Sequence, residues 1–174
     1  MLVEIDGARI LFDPVWARRA SPSALAGPKR FHEPPLALDN LPPLDAILAS
    51  HDHYDHLDRG VVRDLARSAT QSRARFIVPL GVGAHLERWG VSPDRITELD
   101  WTESTTVGPL KVTATPARHF SGRGLNTKSR PKSACQPQRT LGGGRTNSGA
   151  LSASYQREAR ARRCSMLPPD IFTG

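Results

Sequence analysis

Within six consecutive residues, His51-Asp52-His53-Tyr54-Asp55-His56, the chain gathers three of its six histidines and alternates them with carboxylates. Imidazole nitrogen and carboxylate oxygen are the donors of a divalent-cation site. In extended backbone the side chains at i and i+2 point the same way, so His51 and His53 can converge on one ion. Where the chain then turns towards a helix begun at Asp58, Asp55 and His56 project together from another direction and could hold a second. This donor set suits Zn²⁺ (one or two ions), with Mn²⁺ or Fe²⁺ admissible where carboxylate contributes. A solvated His-rich loop is the bland alternative; a strand end carrying this alternation argues against it.

The elements that must position the cluster are legible on both sides. Asp45-Ala46-Ile47-Leu48-Ala49-Ser50 is a short apolar run, read as a buried strand that delivers the chain into His51. Asp58 can cap a helix whose Val61, Val62, Leu65 and Ala66 fall on one face. Before the cluster, Leu2 to Ile5 and Arg9 to Phe12 are β-type runs around a hairpin turn at Asp6-Gly7-Ala8. From Asp13 to Leu44 the chain is dense in proline and reads as an ordered surface loop, anchored by Trp16, Leu25, Phe31, Leu36, Leu38 and Leu41. After the helix come a strand at Arg75 to Val78 and a helix from Gly81 to Trp89 ended by Gly90. Strands at Ile96 to Leu99, Thr105 to Val107 and Leu110 to Ala114 follow. The alternation predicts an α/β layer structure up to residue ~120.

Composition narrows the function classes. The formal charge is +7, but up to Leu125 there are 15 Lys and Arg against 15 Asp and Glu, so the whole excess lies beyond it. A neutral body argues against a basic groove, and the basic tail lacks the interleaved aromatics of a single-strand platform, so no specific nucleic-acid partner is expected. Both cysteines, Cys135 and Cys164, lie in that tail, leaving the body to bind metal through His and carboxylate alone. Acids at Glu4 and Asp6 interrupt any leader-like stretch and no transmembrane run is evident, so a cytoplasmic location is expected. The segment 126–174 is Ser-, Gly- and Arg-rich and reads as a disordered, low-complexity tail, with Ser154 to Arg163 its one short helical stretch.

The run His51 to His56 resembles the HxHxDH signature of the metallo-β-lactamase superfamily. More narrowly, Ala26-Gly27-Pro28-Lys29-Arg30-Phe31 and Pro116-Ala117-Arg118-His119-Phe120-Ser121-Gly122-Arg123-Gly124 resemble stretches of the N-acylphosphatidylethanolamine-hydrolysing phospholipase D-like group, with ascorbate-6-phosphate lactonase-like proteins next. The similarity covers residues 1–125. It implies the N-terminal half of an αββα sandwich, with His51, His53 and His119 around one zinc and Asp55 with His56 on the other. It further implies hydrolysis by a zinc-bound hydroxide of a phosphodiester, lipid or small molecule, or of a phosphorylated lactone. Asp52 or Asp55 would assist proton transfer, although a metal-bound Asp55 is no free base. Arg123, four residues after His119 in a Gly-flanked loop, is the candidate for a substrate phosphate. Arg18, Arg19, Lys29 and Arg30 read as solvated charge, as do His32 and His85.

Two family features are not found. Members carry a bridging Asp in a Gly-Asp-Thr-like turn and a final His, whereas here no His follows His119 and the one Asp after Asp100 is Asp170. The family also has a further strand ahead of the hairpin. These departures raise the alternative of a truncated, inactive metal-binding fragment with an out-of-frame tail, whose uncovered sheet would favour self-association.

Overall fold

The computed structural model of the 174-residue chain describes residues 1–23, 25–117, 123 and 150–152. β1 (Leu2–Ile5) and β2 (Ala8–Phe12) form the opening hairpin. Asp6 and Gly7 both take positive φ, 48° and 82°, the turn geometry that matches the right-handed twist of the flanking strands. The chain returns from the proline-rich loop as β3 (Ala46–Leu48), crosses through α1 (Arg59–Arg67) to β4 (Arg75–Pro79), and through α2 (Gly83–Arg88) to β5 (Ile96–Leu99). Strands β2 to β5 run parallel, giving a five-stranded mixed sheet in the order β1-β2-β3-β4-β5. A second, antiparallel sheet is built from β6 (Ser104–Val107), β7 (Leu110–Thr115) and the backbone of β8 (Ala150–Ser152).

Strand alternation divides the core in two. Ile10, Ala46, Leu48 and Ile77 meet Val107, Leu110, Val112 and Ala114 between the sheets. Their neighbours Leu11, Ile47, Phe76 and Val78 face the opposite way, onto Val61, Val62 and Leu65 of α1, Leu86 of α2 and Trp89 at its end. A sheet buried on both faces requires apolar residues at consecutive positions, which is why Ala46-Ile47-Leu48 and Phe76-Ile77-Val78 read as unbroken runs. The expected α/β layering is therefore present over residues 1–117.

Asp58 caps α1 as its position predicts, accepting from the N–H of Gly60 (2.8 Å) and Val61 (3.4 Å). Its second oxygen takes the N–H of Trp16 (3.2 Å) and Ala17 (2.8 Å), so one carboxylate also pins the proline-rich loop. Trp16, Leu36, Leu38 and Leu41 pack on the helix-side core. Leu25 and Phe31 do not, at 89% and 63% exposure, which corrects two of the six expected anchors. Leu25 lies in the loop closed by the Arg19–Lys29 bridge and Phe31 just past it, and both face solvent. Helix α2 also starts later than expected, because Gly81 takes φ 88°, outside the helical basin.

Strand β8 falls in the segment where no strand was expected. It pairs with Thr113, Ala114 and Thr115, extending the ladder at one edge of β7. The rest of 126–174, including the helix expected at 154–163, lies outside the described residues. Among the described residues no helix is long and apolar enough to cross a membrane.

Candidate metal centre

The His-rich loop lies at the carboxyl ends of parallel strands, where open α/β sheets leave room for ligands. Strand β3 leads into it through Ala49 and Ser50. The neighbouring strand β2 ends at Phe12, and the N–H of Asp13 donates to the carbonyl of Leu48 (2.8 Å), which keeps the two chain segments together past the strand ends. Asp13 takes φ 44°, a left-handed conformation that Asp tolerates better than most side chains. From there its carboxylate reaches across. Oδ1 accepts from the N–H of Ser50 (2.7 Å), and Oδ2 accepts from the Ser50 hydroxyl (2.9 Å) and from Nδ1 of His56 (2.9 Å).

These contacts decide which nitrogens face the candidate site. A carboxylate only accepts, so His56 carries a proton on Nδ1, and in the neutral ring Nε2 holds the lone pair. The Ser50 hydroxyl gives its proton to Asp13, so its oxygen can accept from Nδ1–H of His51 at 2.9 Å. His51 is then also left with an Nε2 lone pair. Orientation of a ligating imidazole by a hydrogen bond behind it is the usual arrangement of metal-binding histidines.

In front of that support, ligating atoms of His51, His53 and Asp55 all lie within 4.8 Å of one another. His51 and His53 stand edge to face at 4.9 Å between ring centroids, and His51 and His56 are 3.9 Å apart. Nε2 of His56 is 3.4 Å from Asp55 Oδ2, so these two face a common space. Two nitrogens and one oxygen within this span, with His51 oriented from behind by Ser50, fit a divalent cation of the zinc, manganese or iron type. The expected division placed Asp55 with His56 at a second ion; the structure brings Asp55 close to both His56 and the first pair.

Burial alone would push the Asp13 carboxyl up, but the hydrogen bonds from His56 and Ser50 outweigh it and hold Asp13 below the usual carboxylate range. Burial likewise works against the imidazolium of His56, and the Asp13 hydrogen bond and charge, with help from Asp55, overcome it and raise its pKa.

Arg123 is held against the back of the loop. Its guanidinium donates to the carbonyls of Asp52 and Leu57 and approaches that of His53 at 3.5 Å, while lying 4.5 Å from the ring centroid of Tyr54 and 4.9 Å from that of Trp89. Burial lowers its pKa, with Tyr54, Asp52 and Asp58 opposing. His85, expected to be solvated, is instead half-buried and stacked on Trp89 at 5.8 Å, because α2 turns this face towards the same hollow. His32 is exposed. His119 lies outside the described residues.

Asp13 and Ser50 were missed from the sequence. The available signal was position: Asp13 directly follows a strand, as His51 nearly does, and adjacent parallel strands bring such positions together.

The family described as the beta-lactamase superfamily domain matches residues 8–142. An uncharacterized protein of Mycobacterium tuberculosis is 58% identical over 125 residues, covering 72% of this chain and 33% of that protein. N-acyl-phosphatidylethanolamine-hydrolyzing phospholipase D 1 of Caenorhabditis elegans is 41% identical over 133 residues, covering 72% and 37%. The mitochondrial N-acyl-phosphatidylethanolamine-hydrolyzing phospholipase D of Saccharomyces cerevisiae is 36% identical over 124 residues, covering 69% and 25%. The chain thus spans roughly a third of the length of these relatives. The solved isothiocyanate hydrolase from Delia radicum gut bacteria shares the fold, with a TM-score of 0.51 at 21% identity over 70% of this chain and 46% of that one.

Proposed function

The chain belongs to the beta-lactamase superfamily domain family, and from that premise we propose that it is a metal-dependent hydrolase whose cation is held by His51, His53 and Asp55, with His56 facing the same space. The observation that carries this reading is the convergence of three ligating atoms within 4.8 Å on a loop braced from behind by Asp13 and Ser50. When bound, a divalent cation supplies Lewis-acid activation of water at neutral pH. The protein's own groups do the rest. His51 and His53 present neutral nitrogens, and Asp55 adds a negative charge that favours a cation. Asp55 is then engaged, which leaves Asp52, buried at 8% exposure, as the loop's remaining carboxylate for moving a proton.

The substrate class we infer is a phosphodiester, of lipid type in the full-length context. Likeness to the nematode and yeast phospholipases D supports it, at 41% and 36% identity. The test is hydrolysis of bis(p-nitrophenyl) phosphate with added Zn²⁺ or Mn²⁺, comparing the parent with His53→Ala. Slow, metal-dependent turnover that His53→Ala abolishes is the expected result; turnover unaffected by His53→Ala contradicts it. Metal retained without hydrolysis would mark a chain that binds the cation without turning over.

A further inference from the structure

A cleft of about 370 Å³ opens beside the His-rich loop, with Tyr54 in its wall and none of His51, His53 or Asp55. That volume lies in the small-molecule range. Arg19, Arg59, Arg88 and Arg123 line it, against the single carboxylate of Asp58. Asp58 is already committed, since its two oxygens take the backbone N–H groups of Trp16, Ala17, Gly60 and Val61.

The cations are less well answered. Arg123 directs its donors to main-chain carbonyls rather than to a carboxylate, although the charges of Asp52 and Asp58 reach it. Arg19 gives one N–H to the carbonyl of Gly27 (2.6 Å). The exposed side chains of Arg59 and Arg88 make no ion pair among the described residues. Four guanidinium groups around one hollow repel one another and raise the local positive potential, and a planar fork of N–H donors matches the oxygens of phosphate best. Trp89 and Tyr54 give the cleft an aromatic wall on which the carbon part of a ligand can rest.

We propose that this cleft is a binding site for the oxyanion of a phosphate ester, separate from the metal ligands and competent without the metal. Only the further step, that such a ligand is part of a substrate reaching the metal loop, rests on the hydrolase reading above.

The metal-free 174-residue chain should be titrated with sn-glycerol 3-phosphate by calorimetry, and separately with phosphatidylcholine vesicles containing phosphatidylglycerol. The first source is a soluble ester and the second a lipid head group. The parent is compared with Arg59→Ala/Arg88→Ala and with Arg67→Ala/Arg73→Ala, which removes the same charge from exposed positions outside the cleft. Saturable binding of either ligand, weakened at least ~10-fold in the first double variant and little changed in the second, is expected. Saturation by the soluble ester identifies a free phosphate ester as sufficient; saturation by vesicles alone assigns the head group. Absence of saturable binding in both arms overturns the proposal, and so does equal weakening by the two double variants. Because the metal is absent throughout, loss of the hydrolase reading would leave this result standing, and the reverse also holds.

Discussion

Asp13 and His56 stand 43 positions apart in the chain, yet Oδ2 of the first accepts a hydrogen bond from Nδ1 of the second at 2.9 Å. Asp13 has no place in the ligand cluster itself, but it fixes the tautomer of His56 directly and that of His51 through Ser50. Substituting Asp13→Asn keeps the shape and tolerates the positive φ, but removes the charge that makes both hydrogen bonds obligatory. Zinc affinity, measured by competition with a chromophoric chelator, is expected to fall about 10–100-fold. An unchanged affinity would mean that the imidazoles orient themselves without this support.

Asp58 joins the start of α1 to the proline-rich loop through four backbone N–H groups. Asp58→Ala should therefore cost more than a simple cap, about 2 kcal/mol, since helix and loop donors both lose their acceptor. Urea denaturation of the metal-free protein measures it. A midpoint equal to the parent's would show that water replaces the carboxylate at no cost.

Arg123 serves the loop through the geometry of its fork. Lysine offers donors from one point and has no plane to lie against Tyr54 and Trp89. Arg123→Lys is expected to lose about 1–3 kcal/mol of stability despite its retained charge. Equal denaturation curves for parent and variant would show that the charge alone matters.

His85 has a pKa below the ordinary histidine value, because burial disfavours its charged form and Arg123 and Arg88 add to the effect against the weaker pull of Asp52. The folded state thus takes the proton less readily than the unfolded one. Its contribution to stability is present above an unfolded pKa of about 6.5, and is lost as pH falls from there through the lower folded value. NMR titration of the His85 ring in metal-free protein should give a midpoint below about 6.5; one at or above it would contradict the buried placement against Trp89.

What could be read from the sequence was what depends on neighbours in the chain. The Asp6-Gly7 turn, the Asp58 cap and the run from Ala46 to the His-rich loop each follow from a few adjacent residues, and the structure places them as expected. Asp13 was passed over because its meaning comes from the parallel pairing of β2 with β3, which brings Phe12 opposite Leu48. The contacts of Arg123 depend on carbonyls about 70 positions earlier, which no local pattern records. Leu25 and Phe31 differ for the opposite reason: their apolar character suggests a core, while Leu25, inside the loop closed by the Arg19–Lys29 bridge, and Phe31, just past it, are exposed to solvent.

The account stands most directly on whether His51 and His53 hold a cation. Parent protein and the His51→Ala/His53→Ala variant should be loaded with Zn²⁺, exhaustively dialysed and assayed for metal by mass spectrometry, with circular dichroism to verify that both are folded. The account predicts at least one equivalent retained by the parent and a loss of most of it in a folded variant. A folded variant that keeps as much zinc as the parent would contradict it.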